Sequence, residues 1–258
     1  MQTYLERNIK DLIAEYPALA DILTNAGIGC ITCALGTCRV KDIIEIHNLD
    51  AETTQKLLTA MGKTIYSSAP FVIPVIERTP QTPRNTFSPP MRILVREHTV
   101  ILRVIALVPK ILTAFENNFD ATLPHLEGAL GFIRDYADHL HHAKEEDILF
   151  GYFDQTLDII ASMHADHTAG RAHIAAVRKA IPGRDCTTIR THLEAYSELL
   201  TGHIGREDTI LYPWMDRRLT DREIGELYGK CLTVDNEQKS TIGEYESIVT
   251  EWENIYAV

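Results

Sequence analysis

Apolar residues recur at helical spacing from Ile9 to Ala26, from Val40 to His47, from Ala51 to Gly62, through most of Met91 to Leu219, and again around Glu223 to Cys231 and Ile242 to Tyr256. The punctuation between these stretches agrees with helices. Asp50 is placed to cap the helix that follows it, and Gly27 and Gly29 suit a helix C-terminus opening into a tight loop. Prolines at 70, 74, 80, 83, 89 and 90 exclude regular helix and favour extended, semi-rigid chain, of which FVIPVI is apolar enough to dock. The pattern predicts an all-α protein: a small helical domain over 1–66, a proline-rich linker over 67–90, a helical bundle over 91–219, and a C-terminal helix within 220–258 packed beside it.

Within the bundle a phrase occurs twice, HHAKEEDILF at His141 to Phe150 and HIGREDTILY at His203 to Tyr212. Each copy sets a His four residues before a Glu, so His141 with Glu145 and His203 with Glu207 share a helix face. A looser repeat, REH ending at His98 and ADH ending at His167, precedes the two copies by the length of a hairpin's return arm. Two such hairpins make an up-down four-helix bundle whose interior receives His98, His141, Glu145, His167, His203 and Glu207. That set holds two first-row metal ions, with the carboxylates as bridges and a position left open. A charged helix coating itself with these residues is the alternative. It is disfavoured because each His-Glu pair lies in a stripe of Ile, Leu and Ala, where an uncompensated carboxylate is costly.

The helical wheel sorts the remaining candidates. His141 lines up with Leu130, Ile133, Ala137 and Ile148, whereas His142 shares a stripe with Arg134, Asp135 and Asp138 and is expected in solvent. Asp208 lies about 140° round the helix from His203, against about 40° for Glu207, which makes Glu207 the ligand. His164 shares a face with His167 and remains open as an extra ligand or supporting partner. His139 is expected to be half-buried near Phe132 and Tyr136. His47, His125, His173 and His192 fit no ligand pattern.

Composition is that of an ordinary globular chain, 45% hydrophobic and 24% charged over 258 residues. A formal net charge of −11 without a basic stripe argues against nucleic acid as a partner. The stretch from Ile101 to Leu112 is broken by Arg103, Pro109 and Lys110 and too short to span a membrane. The opening MQTYLERNIK has no signal-peptide core, so cytoplasm is the expected location. Five cysteines do not suggest a secreted disulfide framework. Cys30, Cys33 and Cys38 cluster in GIGCITCALGTC as either a dithiol-disulfide couple or ligands for zinc or an iron-sulfur centre. Cys186 and Cys231 are isolated packing residues.

At REH, HHAKEEDILF, ADHTAGR and HIGREDTILYPWMD, from about Met91 to Leu219, the chain resembles the hemerythrin-like, HHE cation-binding family. The resemblance implies a non-haem di-iron site on His98, His141, Glu145, His167, His203 and Glu207, although ligand chemistry alone leaves zinc or manganese open. Oxygen-carrying members have a further His where this chain has Arg171. Four His with two Glu is similar instead to bacterial proteins that repair damaged iron-sulfur centres. The N-terminal module looks like a small domain linked with a redox disulfide. Together these imply binding or processing of oxygen, nitric oxide or peroxide, with a thiol or other electron donor and with damaged iron-sulfur proteins as candidate partners. A non-catalytic sensor or metal-binding carrier is the alternative.

Overall fold

The computed structural model describes residues 1–28, 38–67, 69–76 and 86–256. Among these residues the regular elements are helices, apart from one isolated bridge between Asn8 and Arg39.

Five helices build the N-terminal unit: α1 (Gln2–Leu5), α2 (Ile9–Glu15), α3 (Leu19–Asn25), α4 (Val40–Ile46) and α5 (Ala51–Tyr66). The single helix expected from Ile9 to Ala26 is two. Pro17 has no N–H to give and pushes Tyr16 out of the helical region, to φ −130 and ψ 81, so the chain turns there. Ile9, Leu12, Leu19, Leu23, Ile43, Leu57 and Met61 close one apolar core. Asp50 does cap α5, accepting the Thr53 amide at 2.7 Å, and α3 ends in Gly27 at φ 75, with the Ile28 amide donating back to Leu23 at 3.0 Å. Cys38 lies half-buried against this core, while Cys30 and Cys33 lie outside the described residues.

The linker is partly docked. Phe71 stacks on Tyr66 with ring centroids 5.5 Å apart, and Ile73 and Ile76 pack against the N-terminal core, whereas Val72 and Val75 face solvent. The linker ends earlier than position 90, because Pro89 and Pro90 form the first turn of α6 (Pro89–Asn117), where an amide donor is not needed. The Ser88 amide ties this start to Asp216 at 2.9 Å.

Four long helical rods follow. The first is α6. The second begins as α7 (Phe119–Phe132) and runs on through π-helical Ile133–His142 and Glu145–Leu149 to a 3-10 turn at Phe150–Tyr152. The third is α8 (Asp158–Ala180), and the fourth joins α9 (Cys186–Arg206), π-helical Glu207–Leu211 and α10 (Tyr212–Arg218). Two helices, not one, complete the chain: α11 (Asp221–Glu237), started by a Thr220–Glu223 capping box, and α12 (Lys239–Tyr256). α12 lies along α6, where Arg103 makes a bidentate pair with Glu253, both contacts at 2.7 Å.

α6 is long and apolar enough to cross a membrane by length and composition alone. Its apolar stripe of Val100, Ile101, Val104, Leu107, Val108, Ile111 and Phe115 is instead buried in the bundle. The bundle core falls into two apolar clusters. One is built on that stripe with Leu126, Leu130, Val177, Leu193 and Trp252; the other joins Met91 and Leu94 to Leu149, Met163, Leu211 and Met215. Ile46 of the N-terminal unit packs into the second cluster, and Glu45 beside it pairs with Arg218. Between the clusters lies a buried polar layer.

At Gly128 the indole of Trp252 approaches so closely that an added Cβ would meet its Cζ2 at 2.7 Å. Gly128→Ala is therefore expected to destabilise the fold by about 1–3 kcal/mol despite its better helix propensity, by forcing α12 off the bundle. Chemical denaturation followed by tryptophan fluorescence measures it, and an unchanged or raised midpoint would contradict this packing.

Candidate metal centre

Each rod of the bundle contributes to the polar layer: Glu97 and His98 from α6, His141, His142, Lys144 and Glu145 from the second rod, His167 from α8, and His203 and Glu207 from the fourth. All are buried. Their donor atoms form two groups, His98, His141, Glu145 and Glu207 in one, and His142, Glu145, His167 and His203 in the other. Within each group the atoms lie within 4.8 Å of one another, and Glu145 belongs to both. Glu207 also reaches across, with one oxygen 3.2 Å from His98 Nε2 and the other 3.1 Å from His203 Nε2.

The imidazoles are held from behind. His98 Nδ1 meets Asp208 at 2.8 Å, His141 Nδ1 meets Glu97 at 2.9 Å, His167 Nδ1 meets Glu146 at 2.6 Å, and His203 Nδ1 faces Asp166 at 3.3 Å. A carboxylate on Nδ1 favours a proton on that outward nitrogen and turns Nε2 inward as the ligating atom, although without metal His167 Nε2 and His203 Nε2 lie 3.0 Å apart and share a proton. His142 Nδ1 faces Asp138 at a looser 3.5 Å. Behind this ring stand three cations: Lys144, wholly buried between Glu97 and Asp235; Arg171 between Asp138 and Glu146; and Arg206 on Asp166. Tyr212 donates its hydroxyl to Glu145 and stacks on His98 with centroids 5.4 Å apart.

Two inward atoms have no hydrogen-bond partner, His141 Nε2 and Glu145 Oε2, and the Glu207 oxygens face only the imidazoles of His98 and His203. Orphaned buried acceptors of this kind cost roughly 1–3 kcal/mol each unless something satisfies them, and a cation is what lone pairs and carboxylates jointly satisfy. The protein's own charges show the same demand. Burial would lower His203, but Glu207, Asp166 and Glu145 outweigh it and lift it to about 10. His98 is lifted to about 9 against burial by Asp208 and Glu207. Glu145 is pushed well above its ordinary value by burial and by Glu207, while Glu207 is held well below its own, despite burial, by His203 and His98. Burial pushes His141, His142 and His167 down, which keeps them neutral and able to ligate.

The structure thus brings His98, His141, Glu145, His167, His203 and Glu207 together and adds His142. The expectation that His142 points to solvent is overturned. It is 5% exposed, and its ring stacks on His167 at 3.9 Å. The wheel misplaced it because 133–142 is π-helical, and the wider i to i+5 turn rotates each later side chain back from its α-helical direction. Glu207 lies inside and Asp208 behind His98. His164 packs edge-on to Phe150 and belongs to neither group, and the His139 side chain is 67% exposed rather than half-buried. Cys231 is buried in the second core cluster, its thiol pushed up to about 11 by burial. Sequence reasoning missed His142, Lys144 and the outer carboxylates Glu97, Glu146, Asp138 and Asp166. Their signal was the acid or base placed next to, or three or four residues from, nearly every ligand.

Residues 90–215 match the family model of the Hemerythrin HHE cation binding domain. The uncharacterized protein Rv1995 of Mycobacterium tuberculosis and the uncharacterized protein Mb2018 of Mycobacterium bovis are each 25% identical over 169 residues, covering 60% of this chain. The chain spans 64% of the length of these curated relatives. No solved structure matches it. The bundle is similar to a cation-binding hemerythrin-like helical bundle, and residues 1–89 lie outside the family match.

Glu145→Ala, which removes the residue common to both groups, is expected to lower metal content to half or less of that of the unsubstituted chain. His142→Ala lowers it on one side only, and Asp208→Ala weakens binding roughly 10- to 100-fold by releasing the His98 ring. His139→Ala is the control and leaves content unchanged. Metal analysis after dialysis reads all four, and full occupancy in Glu145→Ala would show that the two groups do not share a carboxylate.

Proposed function

We propose that this is a non-haem di-iron protein that binds or processes a small oxidant or radical ligand, oxygen, nitric oxide or peroxide, at the centre of the bundle. The observation that supports it most is the pair of donor groups joined through Glu145, each with imidazoles oriented from behind by carboxylates. His98 and His141 would hold one ion and His142, His167 and His203 the other, with Glu145 and Glu207 between them. Bound iron would supply a redox couple and an exchangeable position. The chain does the rest. Carboxylates outnumber Lys144, Arg171 and Arg206 around the site, a surplus that suits two divalent cations. Tyr212 donates to Glu145 and so holds one bridge oxygen in place while offering a hydroxyl proton beside the site. Burial pushes that phenol well above its ordinary value, which keeps it protonated.

Electron delivery from a thiol pair at Cys30 and Cys33, and a role in restoring damaged iron-sulfur centres, extend this reading. The non-catalytic sensor is the second reading. It is favoured by α10, which carries Tyr212 at the metal centre and Arg218 on Glu45 of the N-terminal unit. A shift at Tyr212 would thus be felt at the contact between the units. Steady-state consumption of nitric oxide or peroxide with a dithiol supports the first reading; stoichiometric binding without turnover supports the second.

Anaerobically purified protein is expected to carry two irons per chain and to give, on oxidation, the Mössbauer spectrum of a coupled diferric pair. A single ion, or zinc at full occupancy in iron-replete cells, overturns the di-iron reading. A pH dependence follows too. With their values raised to about 9 and 10, His98 and His203 stabilise the metal-free fold as cations below pH 6.5, and this contribution is lost as pH rises through 9 to 10. Iron must displace those protons, so the gain in melting temperature on adding ferrous iron anaerobically should grow from pH 6 to pH 8.5. A flat or falling gain would mean that these imidazoles do not ligate.

A further inference from the structure

A cavity of about 210 Å³ opens from the side of the bundle onto the centre. It is too large for a diatomic ligand alone, since a single water needs only about 10–15 Å³ on the same measure. Its inner end is formed by His142, His167 and His203, the second donor group. Its walls are Ile133, Ile174, Tyr196, Leu199 and Leu200. On α8 the lining residues His167, Gly170, Arg171, Ile174, Ala175 and Arg178 fall on one face, so the cavity runs along that helix for about 16 Å at 1.5 Å per residue. Gly170 sits mid-helix, where Ala would be worth roughly 1 kcal/mol more in propensity. A Cβ there would lie 3.4 Å from the Tyr196 ring, another lining residue.

Three arginines line this cavity, and they are not equivalent. Arg134 is taken up by Asp135, and Arg171 by Asp138 and Glu146. Arg178, at the end far from the histidines, gives one N–H to the Leu130 carbonyl at 2.8 Å and pairs with no carboxylate among the described residues. The cavity therefore has a cation at its outer end, a hydrocarbon middle and an imidazole floor. Near the floor Asp166 is paired with Arg206, and Asp138 shares Arg171 with Glu146.

We propose that the cavity is a binding site for an organic monoanion with an apolar body, a medium-chain carboxylate in chemical class. Its carboxylate meets Arg178, its chain lies against Ile174, Tyr196 and Leu200, and its far end stops beneath His142, His167 and His203. A body of about eight non-hydrogen atoms fits, by scaling from a 150 Å³ apolar cavity that takes benzene. Only what that far end meets rests on the di-metal reading; the cavity and Arg178 do not. In this arrangement the small oxidant is a co-ligand, and the organic molecule is what the centre is positioned to act on or to sense.

Calorimetric titration of the whole 258-residue chain with sodium acetate, butanoate, hexanoate and octanoate tests the assignment, with metal content measured on the same samples. Affinity is expected to rise about fourfold per added methylene up to hexanoate or octanoate and then to level off. Arg178→Gln, an exposed substitution that leaves the core intact, is expected to weaken octanoate at least tenfold without changing metal content, and Ile174→Trp to abolish binding by filling the cavity. No gain from acetate to octanoate, or equal affinity in Arg178→Gln, overturns the proposal even if two irons are present. Binding lost only when metal is removed, and indifferent to Arg178, overturns it in favour of a carboxylate bound at the metal. Chain-length-dependent binding that needs Arg178 in protein holding no iron would sustain the cavity while sinking the di-iron reading.

Discussion

The bundle depends on a layer of charge that its own hydrophobic core cannot tolerate without compensation. Glu145 and Glu207 are 0% exposed, and apolar clusters containing Leu94 and Met163 on one side and Val104 and Leu200 on the other flank their layer. A carboxylate in such surroundings is expensive unless it is paired. The protein answers with imidazoles from every rod, and each imidazole needs an orientation that a loose side chain would not keep. That demand spreads outward. Asp208, Glu97, Glu146 and Asp166 fix the rings, and Lys144, Arg171 and Arg206 fix the last three of these carboxylates in turn.

The same demand accounts for the backbone. Two of the four rods depart from α-helix where they pass the layer, at 133–142, 145–149 and 207–211. An α-helix presents positions i and i+4 to one side, enough for a His-x3-Glu pair. It does not turn His141, His142 and Glu145 all inward. The wider π turn does, at the cost of poorer backbone geometry, and wide turns of this kind concentrate at functional sites for that reason. Even α11, outside the four rods, is drawn in, because Asp235 is the second partner of the buried Lys144.

Much of this was legible in the sequence. The doubled His-x3-Glu phrase, read with REH and ADH, points to the ligand-bearing helices because spacing of three and four on a helix is geometry and not statistics. What depended on a perfect α-helical wheel failed with it, which is why His142 was assigned to the Asp135 and Asp138 stripe. The long N-terminal helix failed at Pro17 for a local reason visible in the chain, a proline that periodicity across it concealed. Lys144 was the least legible. A lysine between two histidines and two glutamates looks like solvated charge, and only the packing of α6 and α11 against the second rod makes it a buried bridge.

The two donor groups share Glu145 but not an environment. His98 and His141 are backed by Tyr212, stacked over His98, and by the Glu97–Lys144–Asp235 chain. That side is closed. His142, His167 and His203 form the floor of the side cavity, so a molecule arriving from solvent meets these imidazoles first. Of the five, His142 is held most loosely, its Nδ1 lacking a hydrogen-bond partner and facing Asp138 at 3.5 Å. A ligand that must make room for an incoming group would be expected at this position. The residue that α-helical periodicity put in solvent is thus the one best placed to make the open side responsive, and the tightly held rings opposite keep the other side constant.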